Sequence, residues 1–226
     1  MISIKNLSKS FGKKEVLSQI NLDFQKGNVY GIVGENGSGK TTLFRSIAGL
    51  IDCDGFIESD FKVLKNHVGF LDTNPIFMSH ITGWEYLKLL SIARGLSHEG
   101  FESQNIFELP LNEYCENYST GMKKKLALMA ILIQGNDCFI LDEPFNGVDI
   151  QSNFLITEII KTLRAKSKIV IISSHIFSTL SDNCDKIFLL KEGRIAQEVA
   201  KENFQQLDED MKKYVIGDKV RKLNIF

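Results

Sequence analysis

The sequence predicts an α/β fold with a mostly parallel sheet, an N-terminal antiparallel β subdomain and a helical subdomain. Three observations lead there. The runs "DCFILDEP" at 137–144 and "KIVIISSH" at 168–175 contain the apolar, β-branched and aromatic residues of strands buried on both faces, as in a parallel sheet. Between them "NFLITEIIKTLRAK", 153–166, has the length and periodicity of a crossover helix. The first two dozen residues instead alternate apolar and polar side chains, the pattern of half-buried strands.

In chain order, residues 3–11 and 16–24 read as two antiparallel strands joined by the turn-forming "GKK". "NVYGIVG", 28–34, is a short apolar strand entering a glycine-rich loop, and "TTLFRSIAGL", 41–50, has helical spacing and ends at a glycine. "HVGFL", 67–71, is a further buried strand. "ITGWEYLKLLSIARGL", 81–96, is a helix with Thr82 and Glu85 at capping-box spacing. From about 73 to 120 there is no convincing strand, and the segment reads as a mostly helical insertion. The tail, about 200–226, is charged with weak helical periodicity. With no repeat or linker, residues 1–226 read as one domain.

Composition excludes several classes. Lys and Arg number 27 against 28 Asp and Glu, so there is no global attraction to nucleic acid or to an anionic bilayer. The cysteines at 53, 115, 138 and 184 lack zinc-ligand spacing and read as the reduced thiols of a cytosolic protein. The N-terminus has no signal-peptide core. The longest apolar stretch, Leu126–Ile133, falls far short of the roughly 20 residues that span a bilayer. A soluble chain is expected.

"GENGSGKTT" fits G-x-x-x-x-G-K-[ST] at Gly34, Gly39, Lys40 and Thr41, with a further glycine at Gly37. Such a loop, here Gly34, Glu35, Asn36, Gly37, Ser38 and Gly39, wraps backbone N–H groups around a polyphosphate, where larger side chains clash. Lys40 would bridge the β- and γ-phosphates, the Thr41 hydroxyl would ligate Mg²⁺, and the helix would add its N-terminal dipole. Thr42 stands where a dinucleotide fingerprint needs a third glycine, so the expected ligand is a nucleoside triphosphate. Asp142 and Glu143 follow "CFIL" at a strand's carboxyl end, where such sheets bind ligands. One carboxylate there can hold Mg²⁺ through its water shell and the next can orient or deprotonate an attacking water. His175 ends the following buried strand, placed either for a structural role or for contact with the γ-phosphate.

In this order the pieces resemble the nucleotide-binding subunit of ATP-binding cassette (ABC) transporters, over about residues 1–200. "YSTGM", Tyr118 to Met122, corresponds to the family's signature, usually written L-S-G-G-Q. The resemblance implies that Ser119 and the Gly121 N–H bind the γ-phosphate held by a second subunit, so that two ATP molecules are sandwiched between head-to-tail copies. It also implies that Phe11 stacks on adenine, that "NGVD" communicates between sites through Asp149, and that His175 is the switch histidine. Transmembrane permease subunits would be separate chains, leaving this one peripheral on the cytoplasmic face of the membrane, with no nucleic-acid partner.

Two departures stand out. Thr120 and Met122 replace the usual Gly and Gln of the signature. Thr73, in "VGFLDTNPIF", replaces the glutamine that links Mg²⁺ and attacking water to the membrane partner. A regulatory ATP sensor and a non-transport ABC-type ATPase are the alternatives. Of the consecutive Lys123, Lys124 and Lys125, at least two read as solvated surface residues, because three in a row span about 200° of a helix.

Overall fold

The computed structural model describes residues 1–97, 99–175 and 177–209. Two sheets organise them. Strands β1 (Ile2–Phe11), β2 (Lys14–Phe24) and β4 (Asp54–Ser59) form an antiparallel sheet in the order β2-β1-β4. Strands β3 (Val29–Val33), β5 (Val68–Leu71), β6 (Cys138–Leu141), β7 (Ile169–Ser173), β8 (Lys186–Lys191) and β9 (Arg194–Ala200) form the second, in the order β5-β6-β7-β3-β8-β9. Its pairings are parallel except β8 with β9. The α/β class, the mostly parallel sheet and the N-terminal antiparallel strands are those the sequence predicts.

Both faces of the larger sheet are covered, which explains the uninterrupted apolar runs. Along β3, Val29 and Val33 enter one core while Tyr30 and Ile32 enter the other. β6 divides in the same way, Phe139 and Leu141 against Cys138 and Ile140, as period-two alternation requires. The first core packs against helices α2 (Gly83–Ala93), α3 (Thr120–Ile133) and α4 (Ile150–Ala165), and the second against α1 (Lys40–Ile47) and the antiparallel sheet.

Three strands are absent from the sequence reading. β4 and β9 are edge strands, largely exposed, with Phe56 of β4 70% exposed, so they lack a clean apolar alternation. β8, "KIFLLK", is a short apolar run of the kind that periodicity alone does not assign. A short helix, α5 (Phe177–Asn183), precedes it.

The insertion is less helical than expected. Among the described residues between α2 and α3 the regular features are a 3₁₀ turn at Cys115–Asn117 and a bridge from Tyr114 to Thr82, yet the segment buries Phe101, Phe107, Leu109 and Leu111. Local side-chain bonding takes the place of helix here. Asn105 Nδ2 donates to the Leu109 carbonyl (2.8 Å) while the Leu109 N–H donates to Asn105 Oδ1 (2.9 Å). The capping box does form: Thr82 Oγ1 accepts from the Glu85 N–H (3.2 Å) and Glu85 Oε2 accepts from the Thr82 N–H (2.8 Å). Thr82→Ala is therefore expected to destabilise the protein by about 1 kcal/mol in urea denaturation, with its m-value unchanged.

The start of the expected tail packs onto the fold, with Phe204 and Leu207 buried; residues 210–226 lie outside the described residues. No helix among the described residues is long and apolar enough to cross a membrane.

Candidate functional site

β6, β7 and β3 are parallel neighbours, so the segments following Leu141, Ser173 and Val33 emerge at one edge of the sheet. The edge brings together the glycine-rich loop, the Asp142–Glu143 pair and His175. They line a cleft of about 910 Å³ with Phe11, Lys14, Asn36, Gly37, Gly39, Lys40, Thr41, Thr42, Arg45, Asp72 and Thr73.

The loop conformation needs its glycines. Gly37 and Gly39 have φ of 83° and 108°, and a Cβ on Gly39 would lie 2.8 Å from Leu17 Cδ2. Lys40 is buried, its Nζ donating to the carbonyls of Gly34 (2.7 Å) and Glu35 (3.1 Å). The Ser38 hydroxyl lies close to Gly34, where a Cβ would fall 2.7 Å from Ser38 Oγ. Gly34, Glu35 and Ser38 do not line the cleft.

The adjacent carboxylates are held differently. Asp142 accepts from Thr41 Oγ1 (2.6 Å) and from Ser173 Oγ (2.5 Å). Ser173 Oγ in turn accepts the Glu143 N–H (2.9 Å), while Glu143 Oε2 lies 2.9 Å from His175 Nδ1. Glu143 has φ of 52°, a left-handed conformation uncommon for a residue with a side chain. Asp142 and Glu143 are both buried, whereas the His175 side chain is half exposed.

Phe11, at the end of β1, is 53% exposed and presents its ring to the cleft rather than to a core. Thr73 lines the cleft beside Asp72, which pairs with Arg45 of α1 (2.6 Å).

Ser119 and Gly121 do not line this cleft. Ser119 caps α3, its Oγ accepting from the Met122 N–H (3.2 Å), which leaves the hydroxyl proton available for a further bond. Gly121 packs so closely on the Asp149 loop that a Cβ would lie 2.6 Å from the Gly147 carbonyl oxygen. Asp149 caps α4, and the N–H and hydroxyl of Ser152 followed by Lys125 hold its carboxyl well below the usual carboxylate range.

Two site residues escaped the sequence reading. Ser173 joins Asp142 to Glu143, and its signal was a hydroxyl residue ending a buried strand. Lys124 is 2% exposed, its Nζ donating to the carbonyls of Glu143 (2.8 Å) and Asn146 (2.7 Å). Burial pulls its pKa below the ordinary lysine value, opposed by Glu143, Asp142 and Asp72. Lys125 is also largely covered, paired with Asp149 at 3.1 Å, so the expectation of two solvated lysines is corrected. The signal lay in the spacing: Lys124, Leu128 and Ile131 share one buried helix stripe.

The fold and the loop define a P-loop nucleotide-binding protein of the α/β class. The family model described as ABC transporter matches residues 17–146, and the chain belongs to that family, as an ATP-binding and ATP-hydrolysing subunit. It is 32% identical to the bacitracin transport ATP-binding protein of Enterococcus faecalis, over 96% of this chain and 74% of that one. It is 28% identical to a lantibiotic transport ATP-binding protein of Streptococcus pyogenes, over 98% of this chain and all of the other. Among solved structures, an ATP-binding subunit of an ABC transporter superposes with a TM-score of 0.80 at 24% identity, covering 92% of this chain and 93% of that one. A dimeric, post-hydrolysis ATP-binding cassette bound to ADP and Pi gives 0.80 at 20% identity, covering 89% and 99%.

Proposed function

We propose that the chain turns over ATP at the cleft with Glu143 as general base, in a site completed by the signature of a second nucleotide-binding subunit. The observation that carries this is the convergence of Lys40, Thr41–Asp142 and Glu143–His175 on one cleft at the carboxyl edge of the sheet. Lys40 is the cation for the phosphates, and Asn36, Gly37 and Gly39 of the loop, with Thr41 and Thr42, supply backbone and hydroxyl donors at the cleft. Phe11 offers a face for adenine.

Thr41 and Asp142 suit Mg²⁺: both are hard oxygen donors and lie together at the loop. Thr73, on the same cleft, would meet its water shell. Bound there, Mg²⁺ neutralises developing phosphate charge.

Glu143, oriented by His175, accepts the proton of the attacking water as it approaches the γ-phosphate in line. In the dimer, Ser119 donates its hydroxyl proton and Gly121 its N–H to the nucleotide of the other subunit. Closure and reopening drive separate transmembrane permease subunits, holding the chain at the cytoplasmic face of the membrane. Residues 1–226 act as one ATPase domain, with about 73–120 as its signature-bearing subdomain.

The test is affinity capture of the full chain from detergent-solubilised membranes. A multispanning membrane protein should co-purify, and ATP turnover by the complex should stop on chelation of Mg²⁺. Recovery of RNA or ribosomal proteins in its place would overturn the transport reading.

A further inference from the structure

Glu143 is held at several points. Its N–H is bound by Ser173 and its carboxylate by His175, both at the end of β7. Its carbonyl accepts from the Asn146 N–H (3.1 Å), closing a turn, and from the Lys124 ammonium (2.8 Å), which also takes the Asn146 carbonyl. Lys124 thus clamps both ends of the turn that carries Glu143 out of β6. Because Glu143 sits in the left-handed region, release of the turn would let its backbone relax and re-aim the carboxylate.

Lys124 belongs to the helix that begins at the signature. Ser119 caps α3, and Lys124 lies one and a half turns further along the same rod. Its neighbours bind the same loop: Gly121 abuts the Gly147 carbonyl and Lys125 pairs with Asp149. A lysine is costly to bury, and here backbone carbonyls of the catalytic turn satisfy it.

We propose that Lys124 is a positioning residue for Glu143, tying the carboxylate of one ATP site to the signature helix that serves the other site. The coupling rests on the roles given above to Glu143 and to Ser119 and Gly121. A subunit whose signature has engaged its partner's nucleotide would hold its own Glu143 in register, so that the two sites fire in concert.

The test uses the full chain with Lys124→Met, which keeps a long buried stem without N–H donors, and Lys124→Arg, which retains them. Lys124→Met is expected to lower kcat by about tenfold to a hundredfold while KM for ATP stays within about twofold of the parent. ATP-dependent dimerisation of the Lys124→Met/Glu143→Gln double variant, followed by sedimentation, should match that of Glu143→Gln. Lys124→Arg should recover part of the lost rate.

A parent-like kcat in Lys124→Met overturns the proposal, as does a fall in kcat accompanied by an equal rise in KM. If Lys124→Met melts below the parent, Lys124→Gln and Lys124→Arg take its place, and a kcat that does not follow donor capacity overturns the proposal. A parent chain that does not hydrolyse ATP, or a Glu143→Gln variant that does, overturns the catalytic reading itself, and this coupling with it.

Discussion

Glu143→Gln is expected to slow ATP turnover by at least about a hundredfold while leaving the affinity for ATP within about threefold of the parent. The two side chains are nearly isosteric, and the backbone bonds to Ser173, Asn146 and Lys124 do not depend on the carboxylate. The amide oxygen can still accept from His175, so the turn and its left-handed residue persist. What disappears is a group able to take a proton from water. Binding survives because the contacts proposed for the phosphates come from Lys40 and the loop. The variant should therefore accumulate an ATP-bound dimer. Single-turnover assays and sedimentation with ATP separate these effects. Turnover within about threefold of the parent would remove the general-base role.

The sequence exposed those parts of the fold whose burial is symmetrical. β3, β6 and β7 read as strands because both faces enter cores, leaving no polar position to blur the pattern. β4 and β9 stayed hidden because edge strands place much of their surface in solvent. The cleft was legible where chemistry demands fixed spacing, as in the loop and at the strand ends. Ser119 enters as a candidate ligand only through resemblance, since the duty the structure gives it is to cap α3.

Lys124 was misread for a different reason. The roughly 200° of helix that three consecutive lysines span placed the run on the surface, whereas the turn beneath α3 offers two carbonyls with no side chain of their own to announce them. A residue whose partners are backbone atoms leaves no complementary residue type in the sequence. The helix stripe shared with Leu128 and Ile131 was the only local sign, and the polar character of the run obscured it.

Lys40→Met is expected to produce the complementary phenotype, weakening ATP binding by about tenfold to a hundredfold, on the scale of a lost charge-assisted hydrogen bond. Met preserves the unbranched stem and the helix propensity at the first position of α1. The loop itself loses two internal bonds, because the carbonyls of Gly34 and Glu35 no longer meet the ammonium. Glu35 is exposed and its carbonyl can turn to water, leaving the buried Gly34 carbonyl as the main structural cost, so the melting temperature should fall by only a few degrees. The loss should therefore appear at subsaturating nucleotide, where Glu143→Gln still binds normally. Titration calorimetry with ATP measures it, and an affinity within about twofold of the parent would show that the phosphates are held elsewhere.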